Sequence, residues 1–130
     1  VRFVALCVAI AVALASGGPA AQPSALKPVM REKLENAQRL LEAVVRADHE
    51  AIAKSVEPLS RITEAEIASW QVAPPGEYAK HATLFLLSVN GLQDAAAGRN
   101  ADAAALEYSA LVSSCTGCHR YIERSKTRIR

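Results

Sequence analysis

From Pro28 almost to the end of this 130-residue chain, apolar side chains recur every three or four residues, and no stretch alternates in twos. That period confines the fold to helices. The first predicted helix runs from Pro28 to about Ala47. It sets Met30, Leu34, Ala37, Leu41, Val44 and Val45 on one stripe, with Arg31, Glu32, Glu35, Gln38, Arg39 and Glu42 filling the other faces. Ser24 offers a cap, and Pro28 is tolerable only in a first turn. A second segment, from Asp48 to Ser55 or Val56, should end or kink at Pro58.

Residues 57–77 are the least regular. Thr63-Glu64-Ala65-Glu66 resembles a helix-start box and predicts a short helix through Trp70, with Glu64 and Glu66 as ordinary solvent-facing acids. Pro74-Pro75-Gly76 breaks the chain. A third helix follows from Glu77 to Ala97, with Tyr78, His81, Leu84, Phe85, Ser88, Leu92 and Ala95 along one side, and Gly98-Arg99-Asn100 as its stop. Trp70 and Tyr78 flank the break and are expected to pin the crossover onto the bundle. The last helix starts near Ala101 and carries Leu106, Tyr108, Leu111 and Val112. Helices with short links predict an all-α fold, an antiparallel four-helix bundle.

The first 21 residues are of another kind. Arg2, the apolar run Phe3 to Ala15 and the small residues through Ala21 have the layout of a signal peptide, cleaved after Ala15 or Ala21. The run is short for a membrane span. Cys7 would leave with it. Loss of residues 1–21 leaves 109 of the 130, one small domain over residues 24–130, and the net charge of +2 falls to +1 with Arg2 gone. That balance gives no reason to expect nucleic-acid binding.

The remaining cysteines lie in Cys115-Thr116-Gly117-Cys118-His119, the C-x-x-C-H attachment signature of a c-type haem. Two thiols at this spacing can add across the two vinyl groups of one porphyrin, and the histidine can reach the iron. Other chemistries use a C-x-x-C pair. A zinc site ordinarily needs a second pair of Cys or His ligands, and His49 and His81 lie far apart in sequence. A thioredoxin-like pair belongs beside a βαβ pattern. A disulfide here would close a very short loop. One covalently bound haem c is the expectation, with the motif about ten residues from the end on the last predicted helix. Leu111, Val112 and Tyr108 extend the motif's face backwards, and Cys115, Cys118, His119 and Ile122 share it.

An exported chain whose last helix ends in Cys-Thr-Gly-Cys-His-Arg-Tyr resembles the cytochrome c′ family, the class II cytochromes c, over residues 24–130. The resemblance implies a four-helix bundle with covalent haem near the C-terminus, Cys115 and Cys118 as thioether anchors and His119 as the proximal iron ligand. It also implies that the first helix supplies the far side of the iron. Low-spin members place a methionine there and carry electrons, whereas five-coordinate members place an apolar residue there and bind nitric oxide or other small gases. Met30, the chain's one methionine, fits the first pattern, and Leu34 one turn later fits the second. His49 and His81 are further imidazoles, each more ordinary as a partly exposed or hydrogen-bonded helical histidine.

Arg120, Arg124, Lys126, Arg128 and Arg130 follow or overlap the motif against Glu123 alone. They suit a helix C-terminus and its solvated tail. Arg120 or Arg124, and Arg31 beside Met30, are also candidate partners for haem carboxylates. No carboxylate pair, Ser/His/Asp arrangement or phosphate-binding glycine loop is present, so the expectation is not an enzyme but a periplasmic, His119/Met30-ligated electron carrier. Its partners would be redox proteins, small gases in the five-coordinate alternative, and a second copy of the chain if the family's pairing through the first two helices holds here.

Overall fold

The computed structural model describes residues 23–68 and 76–128. The expected leader over 1–21, Trp70 and the Pro74-Pro75 pair lie outside the described residues. All regular structure among the described residues is helical: α1 (Pro23–Val45), α2 (His49–Ala68), α3 (Gly76–Ala97) and α4 (Ala101–Arg128). α3 packs on α2 and α4, and α1 packs on α2 and more lightly on α4. The core between them holds Leu40, Ile52, Leu59, Val89, Leu92 and Leu111 with no exposed surface. Each such side chain contributes about 1.5–3 kcal/mol by leaving water.

Three helix boundaries differ from the sequence expectation. α1 starts at Pro23, so Ser24 lies inside it instead of capping it, and Pro28 is interior. Proline at the first helical position costs no hydrogen bond. Pro28, exposed five residues on, forgoes one N–H bond near a helix start. Pro58 does not end α2, which runs unbroken to Ala68. The lost bond to Lys54 is offset by packing, because Val56, Leu59 and Thr63 are fully buried on either side. Thr63 consequently starts no new helix; its hydroxyl donates to the Leu59 carbonyl at 2.8 Å inside α2.

The inner face of α1 is also offset from the expected stripe. Asn36, Leu40 and Ala43 are buried and Met30, Lys33, Ala37 and Val44 half-buried, while Leu34, Leu41 and Val45 are exposed. Buried Asn36 is satisfied locally: its amide donates to the Glu32 carbonyl at 2.9 Å, and its oxygen accepts from Arg39 at 2.9 Å. On α3 the buried side is Phe85, Ser88, Val89, Leu92, Ala95 and Ala96, with Leu84 outside it. Val112, expected on the motif's inner face of α4, is exposed, as is Leu106.

Two links share one construction. After α1 the N–H of Ala47 reaches the Val44 carbonyl at 3.0 Å, and that of Asp48 reaches Ala43 at 2.9 Å. After α3 the N–H of Arg99 reaches Ala96 at 3.1 Å, and that of Asn100 reaches Ala95 at 2.9 Å. Both are Schellman closures with a left-handed residue, Ala47 and Arg99, each at φ 51°. The next residue then caps the following helix: Asp48 Oδ1 accepts from the Ala51 N–H and Asn100 Oδ1 from the Ala103 N–H, both at 3.0 Å.

Candidate functional site

The C-x-x-C-H segment lies within α4, with helix continuing beyond it to Arg128. Glycine inside a helix costs about 0.5–1 kcal/mol relative to alanine, so Gly117 needs a reason. A Cβ built on it would stand 2.5 Å from Cε1 and 2.8 Å from Nδ1 of His81. The imidazole of α3 therefore rests directly on the motif backbone. Further along the same seam, a Cβ on Gly91 would meet the Glu107 carboxyl carbon at 2.5 Å. Small residues on alternate helices let α3 and α4 approach closely, which seats the motif on the bundle.

Cys115 and Cys118 are free thiols, both half-buried one turn apart, and Cys115 packs against the core. Burial pushes both thiols above their ordinary range. The Glu66 carboxylate adds to the rise at Cys118, while Lys33 opposes it at both. They are neutral S–H groups at neutral pH. Ser114, buried between them and Leu111, donates its hydroxyl to the Leu111 carbonyl at 2.7 Å.

A group unforeseen in the sequence acts on these thiols through its charges. Lys33 Nζ of α1 is 2.6 Å from Glu66 Oε2 of α2 and 5.0 Å from the centroid of the Phe85 ring of α3. Tyr78 of α3 donates its hydroxyl to Glu66 Oε1 at 2.5 Å. Glu66 is thus no solvent-facing acid; its side chain retains 11% exposure. Burial first, then Glu66 as hydrogen-bond partner and charge, pushes the Tyr78 phenol far above its usual range. The sequence signal was available: Lys33 lies one turn from both Met30 and Ala37 on the stripe that α1 in fact buries. Tyr78 does pin the start of α3, through Glu66.

The expected iron ligands are placed unequally. Met30 is half-buried on the face of α1 that carries Lys33, whose charge acts on both thiols. His119 is exposed in an open groove with Arg120, Glu123 and Arg124. At 3.6 residues per turn it stands roughly 40° around α4 from Cys115. That is the side of Tyr108, whose hydroxyl donates to the Ala37 carbonyl of α1 at 3.2 Å. Leu34 is 58% exposed and Arg31 is exposed, so neither is gathered with the thiols.

No described contact brings His49 to this group. Its Nδ1, like that of His81, is buried without a hydrogen-bond partner. Among the described residues no three His, Cys, Asp or Glu side chains are gathered to hold a metal ion directly. No helix among them is long and apolar enough to cross a membrane.

Two adjacent half-buried thiols with apolar neighbours fit the anchoring of a porphyrin. Thioether and imidazole donors fit its iron. No family model, curated protein or solved structure matches the chain.

Proposed function

We propose that the chain is an exported, periplasmic electron-transfer cytochrome of the low-spin class II kind, with one haem c held covalently by Cys115 and Cys118. The observation that carries this reading is the pair of free, half-buried thiols one turn apart on α4. Each thiol adds across a vinyl group, sulfur to one carbon and hydrogen to the other, so attachment needs no oxidant. The haem supplies a one-electron iron couple, and His/Met ligation sets it toward higher potential.

The residues divide the remaining work. His119, one turn after Cys115 on α4, would be the proximal ligand. Met30 is the distal ligand. The α1–α4 packing supports it: the Tyr108 hydroxyl donates to the Ala37 carbonyl, and Cys115 and Met30 each lie seven residues from that contact on their own helices. The buried core keeps water and structural rearrangement away from the iron. Partners are redox proteins that approach the exposed motif side of α4, where Arg120 and Arg124 offer positive charge that raises encounter rates with acidic surfaces.

The test is the optical spectrum of protein expressed with a c-type maturation system. Low-spin bands and the weak near-infrared band of a thioether–iron bond are expected, and Met30→Ala should abolish that band and yield a high-spin ferric spectrum. A wild-type protein that is already high-spin and shifts sharply with carbon monoxide would replace the electron carrier by a gas-binding cytochrome. A product without covalent haem would overturn both.

A further inference from the structure

Among the lysines and arginines whose side chains are described, Lys33 alone is not exposed. It is held from three helices: by α1 itself, by the Glu66 carboxylate of α2, and by the Phe85 ring of α3 with Tyr78 bonded behind Glu66. Its charge also acts on the thiols of α4, opposing the rise that burial causes at both. Such an arrangement is expensive for the fold. The side chains of Lys33 and Glu66 keep only 15% and 11% exposure, and withdrawing two charges from water costs several kcal/mol each. An apolar pair of similar volume is often as stable or more stable. Stability therefore gives little reason for a cation at this place, which lies one turn from Met30 on the inner face of α1 and against the Phe85 ring.

An ammonium has three donors. Glu66 takes one, and the Phe85 face attracts the charge without using a donor. A porphyrin tethered at Cys115 and Cys118 carries two carboxylates of its own, and these need cations. The arginines near the motif and near Met30, namely Arg120, Arg124 and Arg31, are all exposed, where ion pairs are worth about 0–1 kcal/mol. A partly buried ammonium holds a carboxylate more firmly because the surrounding dielectric is lower.

We propose that Lys33 is a positioning residue whose ammonium holds one carboxylate of the tethered haem, with Glu66 as the counter-ion that keeps the cation in place until the haem arrives. This rests on the haem reading above. Two consequences have opposite signs. Removal of the Lys33 charge leaves the haem carboxylate without its partner and takes a positive charge from the neighbourhood of the iron. Removal of the Glu66 charge frees Lys33 for the haem carboxylate and leaves its positive charge unopposed.

The experiment uses the full haem-loaded chain and compares Lys33→Met, Glu66→Gln and Arg31→Met with the wild type. Resonance Raman spectra report the hydrogen bonding of the haem carboxylates through their bending bands, and voltammetry reports the potential. Lys33→Met should shift one bending band to lower frequency and lower the potential. Glu66→Gln should raise the potential, and Arg31→Met should leave the band in place. If Lys33→Met does not fold, the sign of the Glu66→Gln shift decides. Bending bands unmoved in Lys33→Met, or a potential that falls in Glu66→Gln, would overturn the assignment while leaving the cytochrome intact. A haem-stained denaturing gel separates the two ideas: a wild-type band without stain overturns the cytochrome reading and this assignment together.

Discussion

Ala47 and Arg99 adopt left-handed backbone, φ 51°, at the ends of α1 and α3. For a residue with a Cβ that conformation costs roughly 1–2 kcal/mol, and glycine gives back roughly 0.5–1 of it through its freer unfolded chain. Ala47→Gly and Arg99→Gly should each raise unfolding stability by about 0.5–1 kcal/mol. The sites are well separated, so the double variant should show the sum. Urea midpoints check this, and a lower midpoint in either single variant would contradict it. The sequence places the stop of α3 at Gly98-Arg99-Asn100, and within it Gly98 still bonds back to Asp94 at 2.8 Å, one helical step before Arg99 makes the turn. Composition marks where a helix stops; which residue takes the unusual φ depends on where the final hydrogen bonds close.

At the level of elements, the helical period was legible throughout and its phase on α3, where Phe85, Ser88, Leu92 and Ala95 are buried as expected, but not its phase on α1. Leu34, Leu41 and Val45 look like an inner stripe by hydrophobicity, whereas α1 buries Lys33, Asn36 and Leu40 instead. Polar residues that satisfy each other at close range are invisible to an apolar count. Asn36 has Glu32 and Arg39 on its own helix, and Lys33 has Glu66 thirty-three residues away. Pro58 misled for a related reason, since a missing N–H is local while the packing that holds α2 together comes from other helices. The motif's own glycine gives an element-scale test. Gly117→Ala should push against His81 and destabilise the α3–α4 pairing by roughly 1–3 kcal/mol. With His81→Ala in the background the same change should turn stabilising, by up to about 1 kcal/mol, since alanine is the better helix former. A double-mutant cycle by thermal unfolding reads the sign, and a Gly117→Ala penalty that persists without His81 would place its cause elsewhere.

For the whole molecule, the cysteine string and its place near the C-terminus were readable, while the side-chain cluster around it was not, because its members come from four helices. That cluster also makes the fold sensitive to base. Cys115, Cys118, Tyr78 and Tyr108 all keep their protons more tightly when folded, burial being the leading cause at each. Their contribution is complete below the unfolded thiol value of about pH 8.5 and is lost as pH rises through the folded values. Urea midpoints of the haem-free chain should hold from pH 6 to 8 and decline above about pH 8.5. Replacing both cysteines by serine should remove the first part of that decline. A midpoint unchanged up to about pH 10 would show that the thiols and phenols do not hold the fold in this way.

The two three-residue links stand several helical turns along the chain from Lys33, Glu66, Tyr78 and the thiols. In mechanical terms the molecule is a clothes-peg. Backbone hydrogen bonds form its spring, where α1 turns into α2 and α3 into α4, and one ion pair with its phenol clasps the jaws. Opening the jaws means releasing that clasp, and the springs at the far ends of the helices stay closed while it is released.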